Sequence, residues 1–227
     1  MSTKDFRKKQ GHIPVAREGI PFIVAGMFVT LIAAILGCTF LTVLFLAATL
    51  LVGHFFRDPE RVTIAGEREV ISSADGSVLS VTRVETIGPF KGPGKLEKPA
   101  LKISIFMSVF DVHVNRAPIS GTVRGVFYRK GAFKAANLAE ASEKNEQNWL
   151  WIKSDSGLDV VLTQVAGLIA RRIVCWPGMG DRVIQGERIG MIRFGSRMDV
   201  YVPEDGEVLV SRGQHVFAGE TVLCRLK

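Results

Sequence analysis

Cysteine is scarce: Cys38, Cys175 and Cys224 are the only three in 227 residues, and no two stand in a CxxC spacing. That excludes a disulfide scaffold and a structural zinc site of the usual spacing, and it is compatible with a reducing compartment. The four histidines, His12, His54, His113 and His215, are scattered, so no metal site is expected. Aromatics make up 8% and do not interleave with a basic stripe. The excess of 29 Lys+Arg over 22 Asp+Glu is therefore not read as a nucleic-acid surface, although the net charge is +7. No heptad pattern is sustained, which speaks against a coiled coil. What is present is apolar material: 47% hydrophobic residues exclude intrinsic disorder, and the length fits one domain or one domain with an appendage.

Charge is missing altogether from residues 19–56, a run of 38 without Asp, Glu, Lys or Arg. A helix crossing the hydrocarbon core needs about 20 apolar residues, so this run is long for one span and sufficient for two short ones. Gly37-Cys38-Thr39 falls near its middle, where a hairpin turns. The run lacks the polar face of a soluble helix. It is also too long for the apolar region of a signal peptide, and no clear small-residue cleavage site follows. Lys4, Arg7, Lys8, Lys9 and Arg17 precede it against Asp5 and Glu18, and Arg57 and Arg61 follow. Positive charge on both flanks places both ends in the cytoplasm, which a hairpin allows and a single span does not. The expectation is a cell-membrane protein on the cytoplasmic face, its basic flanks drawn to anionic headgroups. One pass or two is left open.

The chain thus divides into 1–61, the basic N-terminus with its membrane segment, and 62–227, a β-rich domain. Short β-prone runs punctuated by glycine predict strands at Glu69–Ser72, Gly76–Val84, Ala100–Phe106, Gly121–Tyr128, Asn148–Lys153, Asp159–Val165, Ile173–Trp176, Arg188–Ile192, Met198–Val202, Gly206–Ser211 and Thr221–Leu226. Gly88–Pro99, with three Gly and three Pro, reads as an inserted loop, and Lys134–Glu146 as one modest helix.

An internal repeat sharpens the fold. Gly180-Asp181-Arg182-Val183-Ile184-Gln185-Gly186-Glu187-Arg188-Ile189 matches Gly213-Gln214-His215-Val216-Phe217-Ala218-Gly219-Glu220-Thr221-Val222 at an offset of 33. Asp75-Gly76-Ser77-Val78-Leu79 echoes Asp205-Gly206-Glu207-Val208-Leu209, and Ser120-Gly121-Thr122-Val123 is a looser copy. Paired strand-entry and glycine-turn signals resemble the lipoyl/biotinyl type of β-sandwich, a barrel-sandwich hybrid in which two small sheets pack face to face. The fold expected is mostly β with such a core and an N-terminal membrane-associated helical segment. The carrier lysine of that fold is missing, so a swinging-arm carrier is excluded.

Phe194-Gly195-Ser196 sits at a break between two candidate strands. By itself a Gly-Ser pair is a turn, and the G-x-S-x-G of hydrolase elbows is absent. Its company is Ala74-Asp75-Gly76, the Asp111–Pro118 run DVHVNRAP, the Asn145–Asn148 run NEQN, and the Gly167–Trp176 run GLIARRIVCW. In this order, behind a membrane segment, these motifs resemble the short bacterial form of the phosphatidylserine decarboxylase proenzymes over almost the whole of 62–227.

The resemblance implies that Ser196 Oγ attacks the Gly195 carbonyl, turning the peptide into an ester. Gly195 carries no side chain to hinder the attack. Elimination of the ester leaves dehydroalanine, which takes up water and loses ammonia to give a pyruvoyl group at residue 196. The products are a β chain 1–195 and an α chain 196–227, and the cofactor is a covalent pyruvoyl group made from Ser196. Its ketone captures the amine of a serine phospholipid and takes up the electron pair left by carbon dioxide, yielding an ethanolamine headgroup. His113 is implied as the base that takes the Ser196 proton, with Asp75 as the acid of the relay. Arg116, Arg171 and Arg172 are candidates for the phosphate or carboxylate of the lipid, and Asn115, Asn145 and Asn148 for hydrogen bonds to the headgroup. Long-form members carry two histidines three residues apart where this chain has His113 and Arg116. Whether His113 serves cleavage, decarboxylation or both stays open, as does a homo-oligomer. A decarboxylase of an archaeal-type ether-lipid serine, or a non-enzymatic membrane-anchored adaptor with a lipoyl-like domain, is the alternative.

Overall fold

The computed structural model describes residues 14–89, 99–136, 144–168, 172–193 and 195–227. Two compact units meet in sequence between Glu60 and Arg61.

In the first unit a 3-10 turn, Arg17–Gly19, leads into α1 (Ile20–Ile35), and α2 (Thr39–Phe55) returns. Pro21 lies in the first turn of α1, where a missing N–H leaves no bond unmade. Apolar side chains point outward all round both helices, Phe28, Leu31, Phe40 and Leu50 among them, a surface suited to hydrocarbon rather than water. Residues 17–35 are long and apolar enough to cross a membrane, while α2 is a shorter apolar helix. Thr30 and Thr49 donate their hydroxyls back to the Gly26 and Phe45 carbonyls, leaving no polar group for lipid to solvate at those positions. The two ends of the hairpin are tied together. Ala16 N–H donates to the Phe56 carbonyl at 2.7 Å, and Asp58 N–H to the Pro14 carbonyl at 2.9 Å. The chain therefore enters and leaves the helix pair at neighbouring points.

Among the described residues the second unit has fourteen strands: β1 (Glu69–Ile71), β2 (Gly76–Val84), β3 (Ala100–Met107), β4 (Val114–Arg116), β5 (Gly121–Arg129), β6 (Gln147–Lys153), β7 (Asp159–Ala166), β8 (Ile173–Cys175), β9 (Arg182–Val183), β10 (Arg188–Ile192), β11 (Ser196–Pro203), β12 (Glu207–Val208), β13 (His215–Val216) and β14 (Val222–Arg225). An antiparallel eight-stranded sheet runs β13-β2-β3-β11-β7-β6-β5-β9, and two three-stranded sheets run β4-β10-β8 and β1-β14-β12. The mostly β architecture is as expected, and its largest sheet is continuous. β11 is the reason: buried on both sides of the pleat, it pairs with β3 along one edge and β7 along the other.

The repeat is visible in three dimensions. Val183 and Val216 are buried in the edge strands β9 and β13, which pair with the first residues of β5 and β2. Gly186 N–H donates to the Ala117 carbonyl and Gly219 N–H to the Ser72 carbonyl, both at 2.9 Å. Ser120 Oγ accepts the Gln185 N–H at 3.0 Å, and Asp75 Oδ1 accepts the Ala218 N–H at 2.7 Å, so hydroxyl and carboxylate cap equivalent turns.

β4, β9 and β13 are strands the sequence pattern did not mark, being two or three residues long. β12 covers only part of the expected Gly206–Ser211, and Gly76–Val84 and Arg188–Ile192 match. Of the helix expected over Lys134–Glu146, residues 137–143 lie outside the described residues. Its described ends are not an uninterrupted helix: Phe133–Lys134 are irregular and Asn145 bridges to Ala132 in parallel register. In the expected Gly88–Pro99 loop, residues 90–98 lie outside the described residues.

Along β11, Met198, Val200 and Val202 enter the main core with Ile103, Ile105, Leu150, Ile152 and Leu162. The opposite face carries Arg197, Asp199 and Tyr201, also buried. Arg197 forks onto Asp199, Nε to Oδ1 at 2.6 Å and Nη2 to Oδ2 at 3.0 Å, and Nη2 also reaches Ser104 Oγ. A buried guanidinium is tolerated there because its carboxylate is beside it. Tyr201 stacks on Trp149 with ring centroids 5.5 Å apart; burial, and then Asp199, raises its phenol above the usual range. β11 is thus held on both faces, so its first residue has a fixed position.

Candidate active site

Ser196 is that first residue, fully buried, opposite Met107 on β3 and Ala166 on β7. Its hydroxyl donates to Met107 Sδ at 3.3 Å. A thioether is a weak acceptor, so the oxygen is held in one direction without being strongly engaged. Gly195, just before it, has φ +54°, and a side chain there would meet no atom within 4 Å. Its glycine is required by the backbone, not by space. Gly167 is the opposite case, since a methyl group there would overlap the Gly195 carbonyl oxygen. The Gly195 carbonyl oxygen therefore faces a residue that must lack a side chain. Changing Gly167→Ala pushes this carbonyl away; self-cleavage slows by about 100-fold, the usual cost of displacing a reacting atom by an ångström, as followed by the fraction of split chain over time.

His113 is fully buried in the segment between β3 and β4. Its backbone carbonyl accepts the Ile192 N–H at 3.4 Å, and Val114 pairs with Met191 on β10. The segment 107–114 is thus joined to 191–196 at both ends, by the Val114–Met191 and Met107–Ser196 pairs. His113 Nδ1 lies 2.9 Å from the Asp111 carbonyl oxygen. A carbonyl only accepts, so Nδ1 carries the proton and Nε2 the lone pair. Asp111 in turn accepts the Ser108 N–H at 2.7 Å and faces His215 Nε2 at 3.5 Å, which fixes the turn below the ring.

Asp75 is buried near the start of β2. Its Oδ2 pairs with Arg61 at 2.9 Å and its Oδ1 accepts from Ala218, while Arg61 also reaches Glu220 at 2.7 Å. These contacts bind it to the Phe217–Gly219 turn. Arg116 was expected to face substrate. It is buried instead, its Nη1 donating to the Gly186 carbonyl at 2.9 Å and its stem filling the space above Gly219, between the two equivalent turns. Arg172 is exposed and its carbonyl accepts the Arg193 N–H at 3.3 Å. Arg171 and Phe194 lie outside the described residues.

The three asparagines separate. Asn145 is fully engaged by backbone: Nδ2 donates to the Lys134 and Ala166 carbonyls, both at 2.7 Å, and Oδ1 accepts the Lys134 N–H. It pins residue 134 to the strand end opposite Ser196. Asn115 and Asn148 belong to one buried network. Asn115 Nδ2 approaches Met107 Sδ at 3.9 Å, on the sulfur that Ser196 also touches, and both asparagines bond Gln164. Met107, Gln164 and Gly167 were not singled out from the sequence. The available signal was a glutamine within the apolar run Asp159–Ala166, since a polar residue in a buried strand needs buried partners.

A competing nucleophile is removed by its surroundings. Burial, with Asp205 and Glu207 near, pushes the Cys224 thiol up to about 11, so it is not a thiolate at neutral pH.

The family model described as phosphatidylserine decarboxylase matches residues 48–224. The phosphatidylserine decarboxylase proenzyme of Syntrophus aciditrophicus is 48% identical over 210 residues, covering 92% of this chain and 96% of the relative. Those of Desulfotalea psychrophila and Pelagibacter ubique are 46% and 47% identical over 214 and 208 residues, covering 94% and 92% of this chain and 97% and 94% of the relatives.

Proposed function

As the chain belongs to the phosphatidylserine decarboxylase family, we propose that it is a proenzyme that cleaves itself between Gly195 and Ser196 and then converts phosphatidylserine to phosphatidylethanolamine and carbon dioxide. The observation that carries this reading is the buried Ser196 hydroxyl directly after a left-handed Gly195, with Gly167 against the oxygen of the carbonyl to be attacked.

Proenzymes of this family carry a pyruvoyl group derived from serine, which supplies a ketone to capture the substrate amine and a sink for the electrons released with carbon dioxide. The surroundings of Ser196 fit so small a group. It lies at a strand start held on both sides, with an apolar thioether and the Asn115 amide beside it. In the self-cleavage, His113 Nε2 takes the Ser196 proton as Oγ adds to the Gly195 carbonyl. The Asp111 carbonyl orients the ring, and Asp75 acts at a distance by holding the Phe217–Gly219 turn through Arg61. Arg171 and Arg172 are the cations offered to the lipid phosphate or carboxylate, while Arg116 clamps the two glycine turns. Asn115 and Asn148 supply amide contacts, and Asn145 supports the strand opposite Ser196. Cleavage yields chains 1–195 and 196–227 that stay together through the pairing of β11 with β3 and β7.

The finer fold reading is a lipoyl/biotinyl-like core, supported by the two equivalent turn-and-strand units. Family membership sets aside the adaptor reading. At the membrane, the tied hairpin ends and the basic residues on both flanks support a cytoplasmic location for both termini and for residues 61–227, within reach of inner-leaflet headgroups.

The masses of the purified chains test the reading. The expected result is one species ending at Gly195 and one beginning at residue 196, lighter by one ammonia than a chain starting with serine. Full activity from a protein with an intact Gly195–Ser196 bond overturns it.

A further inference from the structure

The inner face of the eight-stranded sheet is apolar except at one end. There Asn148 on β6 stands opposite Gln164 on β7, and Gln164 opposite Met198 on β11, one step along the same face from the Ala166–Ser196 pair. Asn115 on β4 faces them from the second sheet. All three amides are buried, Asn115 completely.

The direction of every bond in this network follows from one backbone group. Gln164 Nε2 donates to the Val174 carbonyl at 3.2 Å, and a carbonyl can only accept, so the nitrogen end of Gln164 must lie there. The same nitrogen donates its second hydrogen to Asn115 Oδ1 at 2.9 Å. Asn115 is thereby turned with its oxygen toward Gln164 and its nitrogen toward Met107 Sδ, the sulfur that accepts the Ser196 hydroxyl. Gln164 Oε1, at its other end, accepts from Asn148 Nδ2 at 3.0 Å. An asparagine amide can occupy its site in two orientations of nearly equal shape, and here only hydrogen bonding distinguishes them.

We infer that Gln164 is a positioning residue: by fixing the orientation of the Asn115 amide, it makes Asn115 present a hydrogen-bond donor, and not an acceptor, to the anionic oxygens handled beside residue 196. The inference rests on the reading of Ser196 as the catalytic position. A reversed Asn115 would set its carbonyl oxygen against a serine carboxylate, so one amide rotation exchanges attraction for repulsion in a dry site.

The test compares Gln164→Glu and Gln164→Leu with the parent in the full-length protein. Self-cleavage is read from chain masses and decarboxylation from phosphatidylserine turnover in mixed micelles, across a pH series. Glutamate has the shape of glutamine but, when ionised, no hydrogen to donate, so Asn115 is freed to reverse. With both variants split into two chains, turnover falls roughly 100-fold near neutral pH, the usual cost of a misplaced donor in a charged site. As pH falls, the Gln164→Glu variant regains turnover, because a protonated carboxyl offers one donor again. The Gln164→Leu variant has no such recovery. Its profile also accounts for the titration of His113 and Cys175, which neighbour the network on the β4 side and on β8. Equal loss in the two variants at every pH would reduce Gln164 to a packing role, and parental turnover in Gln164→Glu would remove the donor requirement; either overturns the inference. An uncleaved parent with activity would overturn the Ser196 reading instead, so the two failures are distinct. Should Gln164→Leu not fold, Asn115→Asp, which removes the donor itself, is to lose turnover to the same extent as Gln164→Glu at neutral pH, and full activity of that variant overturns the inference equally.

Discussion

Ser196→Ala leaves a single chain of 227 residues and no measurable decarboxylation. The alanine keeps β11 in register, because the methyl occupies the same space against Met107 and Ala166 and nothing else in the strand changes. What is lost is the oxygen that would form the ester and the carbon framework from which a ketone is made, so both products of the reaction disappear together. The expected loss is at least about a thousandfold, as for removal of a covalent nucleophile generally. Denaturing electrophoresis and intact mass check the first half, carbon dioxide release the second. Ser196→Cys and Ser196→Thr keep a nucleophile and cleave more slowly. Splitting of the alanine variant at this bond would show that another residue is the nucleophile.

His113→Ala slows self-cleavage by about 10²- to 10⁴-fold, the range that a positioned general base contributes. The geometry argues for this through the tautomer: the Asp111 carbonyl at 2.9 Å keeps the proton on Nδ1 and leaves Nε2 as the basic nitrogen. Arg116 cannot substitute, since a guanidinium holds its proton above pH ~12 and this one is bound to the Gly186 carbonyl. Imidazole added to the variant restores cleavage by filling the space of the ring, while a variant that had simply lost its fold would not respond. Normal cleavage combined with loss of lipid turnover would move His113 from the first reaction to the second.

The membrane hairpin was legible because a run without charge has only one solvent that suits it, and its turn appeared near Gly37 as the length of the run required. Strands with a long alternating or apolar run, such as Gly76–Val84 and Arg188–Ile192, were legible for the same reason. β4, β9 and β13 were not, since two or three residues carry no period and are strands only because a neighbour pairs with them. Of the helix read into Lys134–Glu146, residues 137–143 lie outside the described residues, and at its end the Asn145 side chain bonds across to Lys134 and Ala166. Ser196 and His113 were singled out as candidates from ordered motifs. An arginine in a motif looks like an anion site, and only the structure shows Arg116 buried and bonded to the Gly186 carbonyl.

Sequence alone determined what depends on residue type and order: the apolar hairpin, the mostly β domain, the internal repeat, and the Gly195-Ser196 bond in the company that marks it. Tertiary structure decided what depends on residues far apart in the chain. It brought Gly167 against the Gly195 carbonyl oxygen, set the Asp111 carbonyl at His113 Nδ1, and ran the amide chain from Val174 through Gln164 to Asn115. The physical reason is that a hydrogen bond is set by distance and direction across strands. The register of β11 against β7 and the approach of β4 to the sheet fix those quantities, and no local pattern in residues 160–200 records them.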